Sequence, residues 1–334
     1  MPRRANAQAG EPALQGHHDP LDKFTRHRRL NGSIARALCR DQETTSVGQR
    51  IANCATVLGV DLFDNAEEGV EARLRAMRPC NARLCPFCEW RRTRAWRRRL
   101  FDGLEALYKD QEERVPIFLT LTVPNPRLED LNATLKRMNA AWNRLTSQRW
   151  FPTDLWFRRT EVTVGALQAH GPVFAHPHFH VLLLVRRSYF GRKYIKQTEW
   201  ADQWSKAMRA DQRLIVDVRR VRPVAARKDG SVPGSTEPMS ASKCGVLEVA
   251  KYMAKGTQLV EIGESLPEFH RQMARVRLYA LSKGLRKYIA DGDIKYAELV
   301  DNEETSPDSR LPDAKAIAQW FEDSARYLLS LIHI

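Results

Sequence analysis

The chain has 334 residues, 43% of them hydrophobic, and a formal net charge of +14 at pH 7. That length supports one large core or two modest ones, and that charge points to a polyanionic partner. No apolar run approaches the roughly 18 residues of a membrane span. The first thirty residues are polar and basic, without the apolar stretch of a secretory signal, so no membrane association and a cytoplasmic location are expected.

Residues 1–30 carry Gly, Pro, Ala, His and Arg without an apolar period and are predicted to be a disordered basic N-terminus. Residues 31–112 are predicted as a helical region with a cysteine knuckle. In it Cys80-Asn-Ala-Arg-Leu-Cys85-Pro-Phe-Cys88 is followed at once by a run with six arginines: Arg91, Arg92, Arg94, Arg97, Arg98 and Arg99. Six cysteines at this length do not make a disulfide scaffold. Three of them clustered with knuckle spacing suggest structural Zn²⁺, which wants four ligands; a small core of reduced cysteines is the alternative. Cys39 and Cys244 read as ordinary buried thiols. On a helix six arginines in nine residues cannot share one face. They are expected to meet DNA phosphates, or else to form a solvated face with Trp90 and Trp96 packed inward.

From 113 to 295 the pattern is regular. Pro116–Val123 alternates as a strand, Leu128–Thr146 has helical spacing, and Glu161–Val164 is a second strand. Ala175-His-Pro-His-Phe-His-Val-Leu-Leu-Leu-Val185 is a third. Thr198–Ala210 is a helix, Arg213–Val221 a fourth strand, residues 222–243 a loop, and Val246–Gly256 a helix stopped by glycine. The predicted class is α+β, with the β-α-β-β-α-β-α order of a split-βαβ, ferredoxin-like antiparallel sheet. By alternation Thr120, Thr122, Glu161, Thr163, His178 and His180 share one polar face, and the other face is apolar core. Residues 296–334 are predicted as a C-terminal helical segment. Leu329-Ser-Leu-Ile-His-Ile334 matches the translation of a transposase-adapter end used in sequencing libraries. These last six residues are therefore expected to be an assembly artefact.

Two constellations carry chemistry. His178 and His180, two residues apart on a strand, present imidazoles about 7 Å apart, a spacing that can hold one metal ion. Glu161 is the first choice for a third ligand and His176 the second. Imidazole with carboxylate suits Mg²⁺ or Mn²⁺ better than copper. Hydrogen-bonded core histidines are the bland alternative. The second constellation is Glu248-Val-Ala-Lys251-Tyr252-Met-Ala-Lys255. On a helix Glu248, Tyr252 and Lys255 form one stripe. A phenol is a weak nucleophile near neutral pH, its pKa being about 10, and nearby cations favour the phenolate. Tyr189, Tyr194 and Tyr288 lack that setting.

The His-Pro-His-Phe-His strand, the Glu-x-x-Lys-Tyr-x-x-Lys helix, the Phe118-Leu-Thr-Leu-Thr-Val123 strand and the cysteine–arginine segment, in this order, resemble the rolling-circle plasmid replication initiators of the HUH endonuclease superfamily. The resemblance runs over roughly residues 48–295. It implies an HUH fold and sequence-specific nicking of one origin strand with a divalent ion. It also implies a 5′-phosphotyrosine intermediate on Tyr252, a free 3′-OH primer, and water activation by Glu248 for termination. Cys54 is implied as the fourth zinc ligand. Lys251 and Lys255 flank the nucleophile, and origin DNA and a host helicase are the expected partners. A transposase or phage initiator of the same superfamily would share these motifs. A zinc-stabilised DNA-binding regulator without catalysis would share the charge, cysteines and arginines, but it has no use for the His pair with Glu248 and Tyr252.

Overall fold

The computed structural model describes residues 19–65, 69–111, 114–166, 172–222, 244–246, 256–300 and 311–331. Helices α1 (Asp22–Cys39) and α2 (Thr45–Ala52) lead into strands β1 (Val57–Asn65) and β2 (Gly69–Met77). Helix α3 spans Pro86–Asp110. Next come β3 (Val115–Thr122), α4 (Leu131–Thr146), β4 (Trp156–Ala166), β5 (Val173–Val185), α5 (Gln197–Met208) and β6 (Val216–Arg220). Helices α6 (Gly256–Glu261) and α7 (Leu266–Gln272), strand β7 (Tyr279–Leu281), helix α8 (Tyr296–Val300) and strands β8 (Ala314–Phe321) and β9 (Arg326–Leu331) complete the described chain.

The larger antiparallel sheet has the order β6-β3-β5-β4-β7. Its first four strands follow the split-βαβ arrangement that the alternating pattern predicts, with β7 added at the edge beside β4. Helices α4 and α5 cover one face. On α4 the apolar residues recur at helical spacing, and Leu131, Leu135, Met138, Trp142 and Leu145 are all buried. On α5 Trp200 and Trp204 are fully buried, and Trp204 Nε1 donates to the carbonyl of Thr122 at 2.8 Å. These residues meet Leu119, Leu121, Phe179, Val181 and Leu183 in the main core. The opposite face is polar at one end only. At its other end Phe118, Phe157, Leu182 and Leu184 form a second core with Trp96, Leu100, Leu104 and Leu107 of α3.

Helices α1, α2 and α3 occupy the region expected to be helical, but α1 begins at Asp22, inside the stretch expected to be disordered, and two hairpins stand where further helix was expected. Residues 57–77 form a β-hairpin, and residues 314–331 form another that pairs with it in the order β2-β1-β8-β9. Ala316, Ala318 and Trp320 face inward while Lys315, Ile317 and Gln319 face outward, a period of two. The alanine and lysine content of this segment favours helix locally, but pairing with β1, some 250 positions earlier, decides. Residues 329–331 pair with Ala316–Ala318; residues 332–334 lie outside the described residues. Cys39 is exposed and Cys244 half-buried, rather than core thiols. Among the described residues no helix is long and apolar enough to cross a membrane.

Candidate active site and metal centres

Strand register brings the first constellation together. β5 lies between β3 and β4, so His178 pairs with Thr122 and Glu161, and His180 with Thr120 and Arg159. Directly opposed residues share a face, which puts Glu161 beside both imidazoles. Glu161 Oε2 is 2.9 Å from His180 Nε2 and 3.6 Å from His178 Nε2. The three ligand atoms lie within 4.8 Å of one another. His178 Nδ1 is 3.1 Å from the carbonyl of His176, so a neutral ring donates there and turns its Nε2 lone pair toward the Glu161 carboxylate. His180 Nδ1 is held 3.3 Å from Thr120 Oγ1. Burial pushes the Glu161 carboxyl up, but with protons on their Nε2 atoms the rings of His178 and His180 outweigh it through hydrogen bonds and charge and hold the group well below the usual carboxylate range; a cation between the three would take the place of those protons. Burial pushes His180 down, which favours the neutral ring. Two lone-pair donors aimed at a charged carboxylate fit a cation among them. His176 is not one of the three, but its ring lies 5.3 Å from that of His178, and its Nδ1 is hydrogen-bonded to Asn125 Oδ1.

The second constellation, Glu248, Lys251, Tyr252 and Lys255, lies outside the described residues. Its N-terminal approach does not. Residues 244–246 are helical, and Val246 packs in the second core with Phe118 and Leu182. A Cβ on Gly245 would come within 2.6 Å of Leu182 Cδ1, so any larger residue there must push that leucine aside. Phe118 and Leu182 lie two residues from Thr120 and His180, on their face of the sheet. The segment leading to Tyr252 is therefore seated on the face that carries the His–Glu cluster. Of the other tyrosines, Tyr189 is buried and Tyr288 donates to Asp110.

The cysteines form a second cluster. Ala55 N–H donates to Arg78 O and closes the base of the β1–β2 hairpin, which sets Cys54 beside Cys80. Cys85 caps α3 and accepts from Cys88 N–H at 3.5 Å. Sγ of Cys88 is 3.4 Å from that of Cys54 and 3.7 Å from that of Cys80, and all four sulfurs lie within 4.8 Å. A tetrahedral ion with bonds of about 2.3 Å needs sulfurs about 3.8 Å apart. Cys80 N–H and Ala82 N–H point at the sulfurs of Cys54 and Cys80, each at 3.4 Å, and such donors favour thiolates. Hydrogen bonding from Cys54 draws Cys80 and Cys88 below the usual thiol range. Hydrogen bonding with Cys80 raises Cys54, and burial raises Cys85.

The arginine run does not form the exposed phosphate-binding face expected of it. Arg91 is buried and donates to the carbonyls of Leu299 and Val300, both at 2.6 Å. Arg92 bonds Glu89 and the carbonyls of Ala82 and Arg83. Arg99 bonds Glu298 and the carbonyls of Ala290, Gly292 and Asp293. These three arginines are spent on the protein because α3 runs through its middle. Arg94 and Arg97 are half-buried, and Arg98 is exposed and paired with Asp102.

Sequence reasoning missed a link between the two clusters. Arg159, fully buried, pairs with Glu89 at 3.3 Å, and Glu89 follows Cys88 while Arg159 opposes His180. The signal was present, since Arg159 shares the strand parity of Glu161.

A family model described as "Replication protein" matches residues 71–328. A Protein rep of Bacillus amyloliquefaciens is 31% identical over 84% of this chain and 84% of its own length. A Protein rep of Bacillus sp is 33% identical over 64% of this chain and 67% of its own length. One of Streptococcus pneumoniae is 28% identical over 84% of this chain and 83% of its own length. No solved structure matches the chain. A match that takes in Cys80, Cys85 and Cys88, helix α3 and the His–Glu strands, together with relatives of nearly the same extent, places the chain in this family of replication proteins.

Proposed function

We propose that the protein initiates rolling-circle replication of a plasmid by nicking one strand of its origin, with an HUH-type fold and a tyrosine nucleophile. The observation that carries this reading is the convergence of Glu161, His178 and His180 on the sheet face where the segment leading to Tyr252 begins. Bound there, Mg²⁺ or Mn²⁺ would supply charge that polarises the scissile phosphate. The chain's own residues do the rest. Thr120 and the His176 carbonyl fix the ring orientations of His180 and His178. Tyr252 gives up its phenolic proton and forms a bond to phosphorus. The bond to the 3′-oxygen breaks, and that oxygen, on taking a proton, is the 3′-hydroxyl from which synthesis starts. Lys251 and Lys255 favour the phenolate. Glu248, one turn before Tyr252 on the predicted helix, takes a proton from water in the terminating cleavage. The names of the relatives, all of them replication proteins, favour this setting over transposition.

The four cysteines suit structural Zn²⁺, which would tie the β1–β2 hairpin to the N-terminus of α3. Origin DNA is the partner this reading requires, and a host helicase would extend the nick.

The experiment that tests it is peptide mapping by mass spectrometry after reaction with single-stranded origin DNA and Mn²⁺. The expected product is a nucleotide on the peptide holding Tyr252. Tyr252→Phe is expected to lower adduct yield at least 100-fold while origin affinity changes less than about twofold. An adduct on another residue, or undiminished yield in the variant, overturns the nucleophile assignment.

A further inference from the structure

Strand β4 turns Glu161 toward the His cluster and Arg158 toward the opposite face, under α4. Arg158 is 2% exposed and stacks on Phe179, with its guanidinium carbon 3.9 Å from the ring centroid. Its one hydrogen bond among the described residues runs from Nη2 to Asn139 Oδ1 at 2.6 Å, and its Nε has no partner. No described carboxylate pairs with it. Burial, with Arg277 adding, pushes its pKa down to about 9. An unneutralised buried guanidinium is costly, and it persists where a counter-ion is supplied from outside.

Asn139 also lines a cavity of about 590 Å³ between α4 and the segment from α7 to β7. Lys136, Arg271, Arg275 and Arg277 stand around it, with Glu268 as its one acid among the described residues. Arg271 is held by Glu268, Asp41 and Glu43, and Arg277 by Asp291. Lys136, Arg158 and Arg275 have no such partner among the described residues. Arg275 holds a left-handed backbone, φ 59°, a costly conformation for a residue with a Cβ. Asn132, beside Lys136, is fixed by two hydrogen bonds to Gln272, so the wall carrying these charges is rigid.

We propose that this cavity is a second phosphate-binding site, in which Lys136, Arg275 and Asn139 hold a phosphodiester of the bound DNA away from the scissile bond, with the charge of the buried Arg158 directly behind Asn139. The proposal rests on the DNA-nicking reading for its ligand. A strand with the metal ligands on one face and this charge on the other lets duplex flanking the nick bind around the β7 edge.

The test uses the full chain and a fluorescein-labelled DNA duplex of generic sequence, with affinity measured against salt. Lys136→Ala/Arg275→Ala is expected to weaken binding roughly tenfold and to lower the slope of log K against log [salt] by about 1 to 2. Asn139→Asp, isosteric, gives Arg158 an internal carboxylate and is expected to weaken binding several-fold. Lys283→Ala/Lys315→Ala, which removes two exposed lysines elsewhere, is expected to leave the slope unchanged. Unchanged slope and affinity in the cavity variants, or an equal loss in the lysine control, would overturn the proposal. Competition by ATP with an unchanged DNA slope would assign the cavity to free nucleotides instead and overturn the DNA assignment. Adduct formation followed in the same samples separates the two readings. An adduct in the wild type with an unaltered slope in the variants refutes the cavity alone. A lowered slope without any wild-type adduct refutes the nickase reading alone.

Discussion

A neutral imidazole has one lone pair to give, and its other nitrogen decides where that lone pair points. His178 spends Nδ1 on the carbonyl of His176 and so presents Nε2 to Glu161. His180 does the same if its Nδ1–H is given to Thr120. Removing the carboxylate leaves two neutral donors, a weak site for a hard cation. Glu161→Ala is therefore expected to weaken Mn²⁺ binding at least 10- to 100-fold by calorimetric titration; unchanged affinity would remove Glu161 from the ligand set. A different histidine governs acid stability. His27 stacks on Trp90 with ring centroids 4.4 Å apart. Burial, with Arg26, Arg94 and Arg91 adding, pushes it down from 6.5 to about 4. The folded ring binds its proton more weakly than the unfolded one, so the unfolded chain takes up more protons as pH falls. Stability is full above pH 6.5 and is lost as pH falls toward 4, by about 2–3 kcal/mol. His27→Gln is expected to flatten that window in urea unfolding measured at pH 7 and pH 4.5. An identical pH dependence in variant and wild type would contradict it.

Helix α3 and the hairpin before it show what local sequence can and cannot carry. Strands β3 and β5 were legible because each joins a short apolar run to a stretch in which polar and apolar residues alternate. Helix α4 was legible from its apolar stripe. The β1–β2 and β8–β9 hairpins were not, because Ala, Lys, Gln and Arg in them favour helix locally, while the deciding pairing of β1 with β8 joins distant parts of the chain. The burial of Arg91 was also invisible. A run of arginines reads as a solvated face, and its acceptors, the carbonyls of Leu299 and Val300, lie some 200 positions away. Arg91→Ala leaves those carbonyls unpaired. It is expected to cost about 2–4 kcal/mol of stability with no change in the salt dependence of DNA binding, as measured by denaturant unfolding and fluorescence anisotropy. The cysteine cluster is an element-scale clamp between hairpin and helix. Elemental analysis of the wild type is expected to give one zinc per chain, and Cys54→Ser is expected to abolish it and to lower the melting temperature by roughly 5–15 °C. Full zinc content in the variant would dismiss Cys54 as a ligand.

At the scale of the whole molecule the two clusters are not independent. Helix α3 starts at the cysteines, carries Glu89 to Arg159 beside the His strand, and then covers the apolar half of the face that bears Glu161, His178 and His180. The small sheet, built from both ends of the described chain, packs against α1 through Arg28 and Trp320 and holds the hairpin that positions Cys54 and Cys80. The larger sheet thus carries the His–Glu cluster at one end of one face and core under α4 and α5 on the other, with the basic cavity at its β7 edge. The pattern of His178 and His180 was readable because two residues on one strand define a face by themselves. The partnership of Glu161 needed the register of β4 on β5, which sequence alone leaves open. The measurement that tests the account most directly is a denaturing gel of the full chain with labelled single-stranded origin DNA, run with Mn²⁺ and with EDTA, beside Glu161→Ala. A covalent adduct that needs the metal and falls at least tenfold in the variant is the predicted result. Tight, salt-sensitive binding without any adduct in the wild type would contradict the nickase and leave a DNA-binding protein that has the fold without the reaction.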